Sequence, residues 1–282
     1  MASSFIVGDD INITVSLKDA AGNAVTGYAD EIVLTMANTI EKSGAWHDNN
    51  NGTYTSVYTA SGTASGFARL KLADWETHIA SMYTIKSVSL KSVAINGYEF
   101  SPTAGVPQTG FKNASFTLTL SDDVDASAYE WTANQPWVTV TDGIVTFIDD
   151  AGTSIVEIKG KRKNGHDSIG AITYVFQTKK WFWFPVGNER TWDNARNLCI
   201  NNGYVQPEAS QVYISSASGS RFVGALKNEW GGNLAVYDVG GLAWLADAGI
   251  SNSKLRRVTD LYTNTIFESD PSGASYKAMC VR

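Results

Sequence analysis

The chain has few of the residues that most often carry chemistry. Its 282 residues include only two cysteines and three histidines. The histidines, His47, His78 and His166, all precede the first cysteine, Cys199. Two thiols about 80 positions apart cannot supply a four-ligand zinc site, and no C-x-x-C redox motif occurs. A disulfide between Cys199 and Cys280 therefore ranks ahead of metal binding or catalysis, with two buried free thiols as the alternative. A bridge closing so long a loop would stabilise by about 4–5 kcal/mol in the chain-entropy picture. Disulfides persist outside the reducing cytosol, which points to a periplasm or a cell surface.

Long apolar runs are also missing. No stretch is long enough to cross a bilayer, so direct membrane insertion by this segment is not expected. Met1-Ala2-Ser3-Ser4 lacks the apolar centre of a signal peptide, and residues 1–4 are read as an added leader. Any export signal or anchor would then lie on sequence outside this chain. Charge is sparse, at 18% of residues and a net −6, which argues against nucleic acid and against adsorption to anionic lipid.

Strand patterning fills most of the chain. In residues 5–86, Ile11, Ile13, Val15 and Leu17 alternate with polar residues, and Ala68, Leu70 and Leu72 do the same. Asp19-Ala20-Ala21-Gly22-Asn23 and Asp48-Asn49-Asn50-Asn51-Gly52 supply turns; the second is read as hairpin chemistry ahead of calcium binding. Residues 87–179 repeat the pattern with Phe116, Leu118 and Leu120, Tyr129 and Trp131, Val156 and Ile158, and Ile172, Tyr174 and Phe176. Asp142-Gly143 and Asn164-Gly165 are expected hairpin turns. Short strands separated by polar turns predict two antiparallel sandwiches. Ile85 leads almost directly into Val88 and Leu90, which predicts stacked domains with limited hinge motion and a monomeric rod.

Residues 180–282 change character. Trp181-Phe182-Trp183-Phe184 is apolar on both faces and reads as a buried strand. Thr191 is a plausible N-cap, with Asp193 in the first turn and Trp192, Ala195 and Cys199 at helical spacing. A second helical stretch is expected from Ser220 to about Trp230, ending at Gly231-Gly232. With strands at Leu242–Leu245 and Tyr276–Val281, this segment predicts a mixed α+β domain.

T-W-D-N-A-R-N-L-C-I-N-N-G-Y-V-Q-P resembles the first helix of the C-type-lectin-like domain that ends intimin and invasin. The likeness continues through W-G-G, L-A-W-L, V-T-D-L-Y and the terminal S-Y-K-A-M-C-V-R. Upstream, Y-E-W-T-A-N-Q-P-W-V-T-V-T-D-G-I-V-T-F is similar to the bacterial Ig-like domain before it. L-K-D-A-A-G-N-A-V-T-G and D-N-N-N-G-T-Y-T-S-V-Y-T-A look like the invasin-type Ig repeat. The resemblance implies a multidomain chain: two all-β Ig-like sandwiches, then an α+β C-type-lectin-like domain closed by Cys199–Cys280. It further implies the tip of a bacterial surface adhesin (an inverse autotransporter), anchored in the outer membrane by a region not in this chain. The partner it implies is a host cell-surface protein, an integrin or another receptor.

The calcium motifs of true C-type lectins, E-P-N or Q-P-D and W-N-D, are absent, and Gln206-Pro207-Glu208 is only half of one, just after the first helix. Protein recognition is therefore expected, with no cofactor and no metal. The alternatives are a calcium-independent carbohydrate-binding module and a structural stalk. A receptor surface needs aromatic or Arg anchors with a polar rim. The irregular stretch before Arg257 offers Trp230, Tyr237, Trp244, Arg256 and Arg257, with Asp238 and Asp247 as aspartates that could complete an integrin's metal site. No histidine lies within 180–282 to form a Ser-His-Asp triad, and its carboxylates show no paired spacing, so no enzyme activity is expected.

Overall fold

The alternation around Ile11 becomes a strand, Asp10–Ser16, in a computed structural model describing residues 3–72, 75–76, 81–150, 154–163, 165, 168–216 and 220–282. His78, His166 and Asn164 of the expected Asn164-Gly165 turn lie outside the described residues. Two compact units emerge. One comprises Met1–Ser89, Leu120–Glu130 and Lys159–Ile172; the other comprises Leu90–Thr119, Trp131–Ile158 and Thr173–Arg282.

In the first unit, Asp10–Ser16 pairs antiparallel with Thr53–Ala60, which also takes Thr39–Glu41 and His47–Asp48. A second sheet runs in the order Ser3–Ile6, Ser81–Lys86, Ala64–Leu72, Ile32–Thr35. Ile11, Tyr54 and Tyr58 from one sheet and Ile32, Tyr83 and Ile85 from the other share one core, so the pair is a sandwich. Its tyrosines reach backbone partners: Tyr54 donates to Val25 O at 2.9 Å, and Tyr83 accepts from Ala37 N at 2.7 Å. Ser3 and Ser4, expected to belong to a leader, are strand residues opposite Tyr83 and Thr84. The Asp48 carboxylate accepts the Gly27 and Asn50 N–H groups at 2.6 and 2.8 Å, as expected of hairpin chemistry.

Elsewhere in this unit the segment Val7–Asp9 runs against Gly165, Ile169 and Gly170. Asp9 bridges Gly165. A Cβ at Gly170 would lie 2.1 Å from Val7 O, so no larger residue fits that approach. Arg162 clasps Asp9 through Nη2 and Nε at 2.6 and 2.7 Å, with its guanidinium 5.1 Å from the Tyr129 ring centre.

The second unit holds most of the second sandwich. One sheet is ordered Tyr98–Phe100, Leu90–Ile95, Ser115–Leu120, Ile144–Phe147, Val138–Thr141; the other is Tyr129–Ala133, Ile155–Arg162, Ile172–Gln177. Asp142 and Gly143 turn the Val138–Thr141/Ile144–Phe147 hairpin at φ 49° and 78°, the positive values a type I′ turn requires.

Thr109–Gly110 then pairs parallel with Lys180–Trp183, which pairs antiparallel with Cys280–Val281. A three-stranded sheet follows, Leu242–Ala248, Arg256–Asp260, Ile266–Ser269. Among the described residues the unit has three α-helices, α1 (Trp192–Asn201), α2 (Ala209–Val212) and α3 (Leu226–Trp230). The expected helix from Ser220 is thus only α3, because Gly224 takes φ +112° and Ala225 is extended. Thr191 stands at the start of α1, but its side chain makes no capping bond. The expected Tyr276–Val281 strand is reduced to Cys280–Val281, with isolated bridges at Tyr276 and Lys277. A single apolar cluster takes in Phe116, Phe147 and Phe176 together with Trp230, Leu245 and Val281.

Candidate functional site

Cys199 on α1 and Cys280 on the final strand are bridged, both fully buried. The bridge closes the region 199–280 and places α1 beside the last strand; it is framework, not a contact surface.

The most constrained part of that region is α3, where apolar burial is interrupted by charge. Glu229 is 0% exposed and accepts the N–H groups of Gln108, Thr109 and Gly224 at 2.9, 2.7 and 2.9 Å, with the Thr109 hydroxyl as a further donor. Burial pushes its carboxyl pKa up, and the donated bonds oppose that shift. Trp230 follows, its Nε1 donating to Thr109 O at 3.1 Å. Lys227 donates to Thr259 Oγ1 at 2.8 Å, to Thr263 O at 2.5 Å and to Asp260 O. Burial pulls its pKa down to about 8. Arg221 donates to Ile95 O at 2.8 Å with its guanidinium 5.1 Å from the Tyr98 ring centre, and burial lowers its pKa. These groups mainly satisfy backbone atoms. They position loops and leave no reactive pair exposed.

Several anchors expected on a receptor surface lie inside. Trp230 and Trp244 are fully buried and Tyr237 nearly so. Each polar tip has an internal acceptor: Trp244 Nε1 donates to Arg190 O at 2.7 Å, and the Tyr237 hydroxyl donates to Ser115 O at 3.4 Å. Burial raises the Tyr237 pKa to about 12. Aromatics buried this deeply belong to the core and do not stand out as receptor anchors, although an edge of Tyr237 reaches the wall of a groove. Half-buried Asp247 accepts the Ala209 N–H at 2.6 Å and so caps α2. Arg256, also half-buried, holds its guanidinium 4.5 Å from the Trp192 ring centre. Arg257, on the same strand, sits opposite Glu268. Asp238 alone of the seven is fully on the surface, at φ +61°. The candidates are therefore scattered, and no single exposed cluster unites them.

Gln206 is 5% exposed, the Pro207 carbonyl accepts Ala246 N–H at 2.9 Å, and Glu208 N donates to Gln211 at the start of α2. That segment is helix-start chemistry. Among the described residues, no group of three or more His, Cys, Asp or Glu is placed to hold a metal ion. Sequence reasoning overlooked Asn96, whose side chain donates to Trp230 O at 3.1 Å, and Glu229 as the centre of a network. Signals for both existed: Asn96-Gly97 is a hairpin dipeptide, and a glutamate beside Trp230 interrupts an apolar helix face.

Residues 91–176 match the family described as invasin, domain 4. An invasin of Yersinia enterocolitica is 28% identical over 161 residues, an alignment that takes in 56% of this chain and 18% of that protein. The chain thus spans a small part of that relative's length. A crystal structure of invasin, described as a bacterial integrin-binding protein, superposes with a TM-score of 0.63 at 19% identity, over 96% of this chain and 55% of its own. A C-terminal 282-residue fragment of intimin, in complex with the intimin-binding domain of the translocated intimin receptor, gives 0.58 at 14% identity, over 99% and 96%. The shared fold is that of Ig-like sandwiches followed by a C-type-lectin-like domain. The domain 4 match over residues 91–176, the invasin relative and the shared fold together support the intimin/invasin family for this chain.

Proposed function

We propose that this chain is the receptor-binding part of a bacterial surface adhesin, with two Ig-like segments, 5–86 and 87–179, carrying a lectin-like segment, 180–282. It is displayed at the bacterial surface, anchored in the outer membrane. Its partner is a host cell-surface protein, an integrin or another receptor, recognised without a cofactor of its own. The observation carrying this reading is that the fold is shared with two proteins whose structures are described as integrin-binding and as bound to a protein receptor. The candidates for contact are Asp238, which is exposed, and Arg256 and Arg257, which are half-buried at the start of their strand.

Deleting 180–282 is a poor test, since it would strip Trp230 and Val281 from an apolar cluster shared with Phe116 and Phe147. Surface substitutions are cleaner. The labelled whole protein should bind cultured host cells saturably and be competed by unlabelled protein. Asp238→Lys or Arg257→Glu should reduce that binding, and Lys18→Glu in the first unit should not. Absence of saturable binding, or equal loss from Lys18→Glu, would sink the reading. Chelation that abolishes binding would point to a metal ion in the receptor.

A further inference from the structure

Within the second unit, a groove of about 380 Å³ is lined by side chains from both the sandwich and the terminal region. Trp183 and Phe184, half-buried, and Tyr237 and Val239, buried, give it an aromatic and aliphatic lining. Val186 lies at its margin, 99% exposed. The rim carries Asp149, Asp150 and Asp238 against a single Lys112, all exposed. Among the described residues, Asp149 and Asp238 have no ion-pair partner; Asp150 accepts a hydrogen bond from Trp181 Nε1 at 2.9 Å. The groove is large enough for one or two side chains of a ligand, with an apolar lining under a net negative rim.

We propose that this groove takes a basic segment of a protein partner, with an Arg or Lys held between the rim aspartates and its neighbouring aliphatic residue against Val186 and Phe184. Charge complementarity selects the occupant. A cation gains from three carboxylates and from the faces of aromatic rings, whereas a phosphate or an acidic sugar meets repulsion. An uncharged apolar ligand would leave the rim without a counter-charge. The proposal rests on the adhesin reading for its partner, but its chemistry can be tested separately.

Displayed random 12-residue peptides, selected on the whole 282-residue protein, are the probe. Enriched peptides should carry Arg or Lys next to an aliphatic or aromatic residue, and their affinity should fall as salt rises. Asp149→Asn with Asp238→Asn should weaken them at least tenfold. Asparagine tolerates the positive φ of Asp238 and retains an oxygen to accept the Asp150 N–H, so the fold should survive, as an unchanged melting curve would verify. Enrichment without basic residues, or equal binding by the double variant, overturns the proposal. The same variant assayed on host cells separates the two ideas. Wild-type protein that fails to bind cells defeats the adhesin reading alone. Wild-type binding that the double variant fully retains removes the groove from receptor recognition and overturns the proposal.

Discussion

The two units handle buried polarity differently. The first has an apolar core of Ile11, Ile32, Ile85 and tyrosines whose hydroxyls reach backbone groups, and its Asp9–Arg162 ion pair stays partly exposed. The second encloses Glu229 and Lys227 almost completely, and neither is paired with an opposite charge. Each is held by backbone and hydroxyl groups from distant parts of the chain. Burying a charge costs several kcal/mol unless its bonds are complete, so such groups specify one arrangement more than they add stability. The first unit therefore depends on area and pattern, and the second on a register that must be met at several points together.

The largest expected effect comes from removing the aromatic at that register point. Trp230→Ala should cost about 3–5 kcal/mol, read as faster hydrogen exchange across the second unit with the first unit unchanged. Equal loss of protection in both units would erase the contrast. Next, Cys199→Ser with Cys280→Ser should lower urea stability by about 2–5 kcal/mol, again confined to the second unit. A smaller and more specific effect is expected from Lys227. Its folded pKa of about 8 lies below the unfolded value of 10.5, so between those values the unfolded chain binds the extra proton. Stability contributed by this group thus rises with pH, by about 1–2 kcal/mol from pH 8 to 9.5. Below about pH 7, where the folded lysine is fully protonated, the cost of burying the ammonium is fully present. Lys227→Met should flatten that slope, and a slope that persists would mean other groups generate it. Arg162→Ala is expected to cost the least, about 1–2 kcal/mol after discounting for solvent screening. Its effect should appear at residues 7–9, 165 and 168–170 in hydrogen exchange and leave α3 untouched.

Local pattern made much of the architecture legible. Ile11, Leu70 and Phe116 alternate because one strand face meets a partner sheet, and strand geometry alone enforces that period. Asp142-Gly143 and Gly231 marked a turn and a helix end through conformations few other residues tolerate. The candidate site was much less legible. Trp230, Tyr237 and Trp244 read as possible anchors because a loop sequence with aromatics looks the same whether it covers a core or a receptor. Phe111 and Thr109, more than a hundred residues upstream, decide the matter by packing on Trp230. Asp247 likewise looked free until Ala209 N–H was found against it.

By itself, then, the sequence determined the strand-rich segments, the turns, the helix carrying Cys199 and the family resemblance, since all of these follow from near neighbours in the chain. Only the tertiary structure decided which aromatics are buried, that Glu229 and Lys227 lie inside, and that Asp238, Asp149 and Val186 meet around one groove. Those outcomes depend on contacts between residues far apart in sequence, where periodicity carries no information about what covers a face.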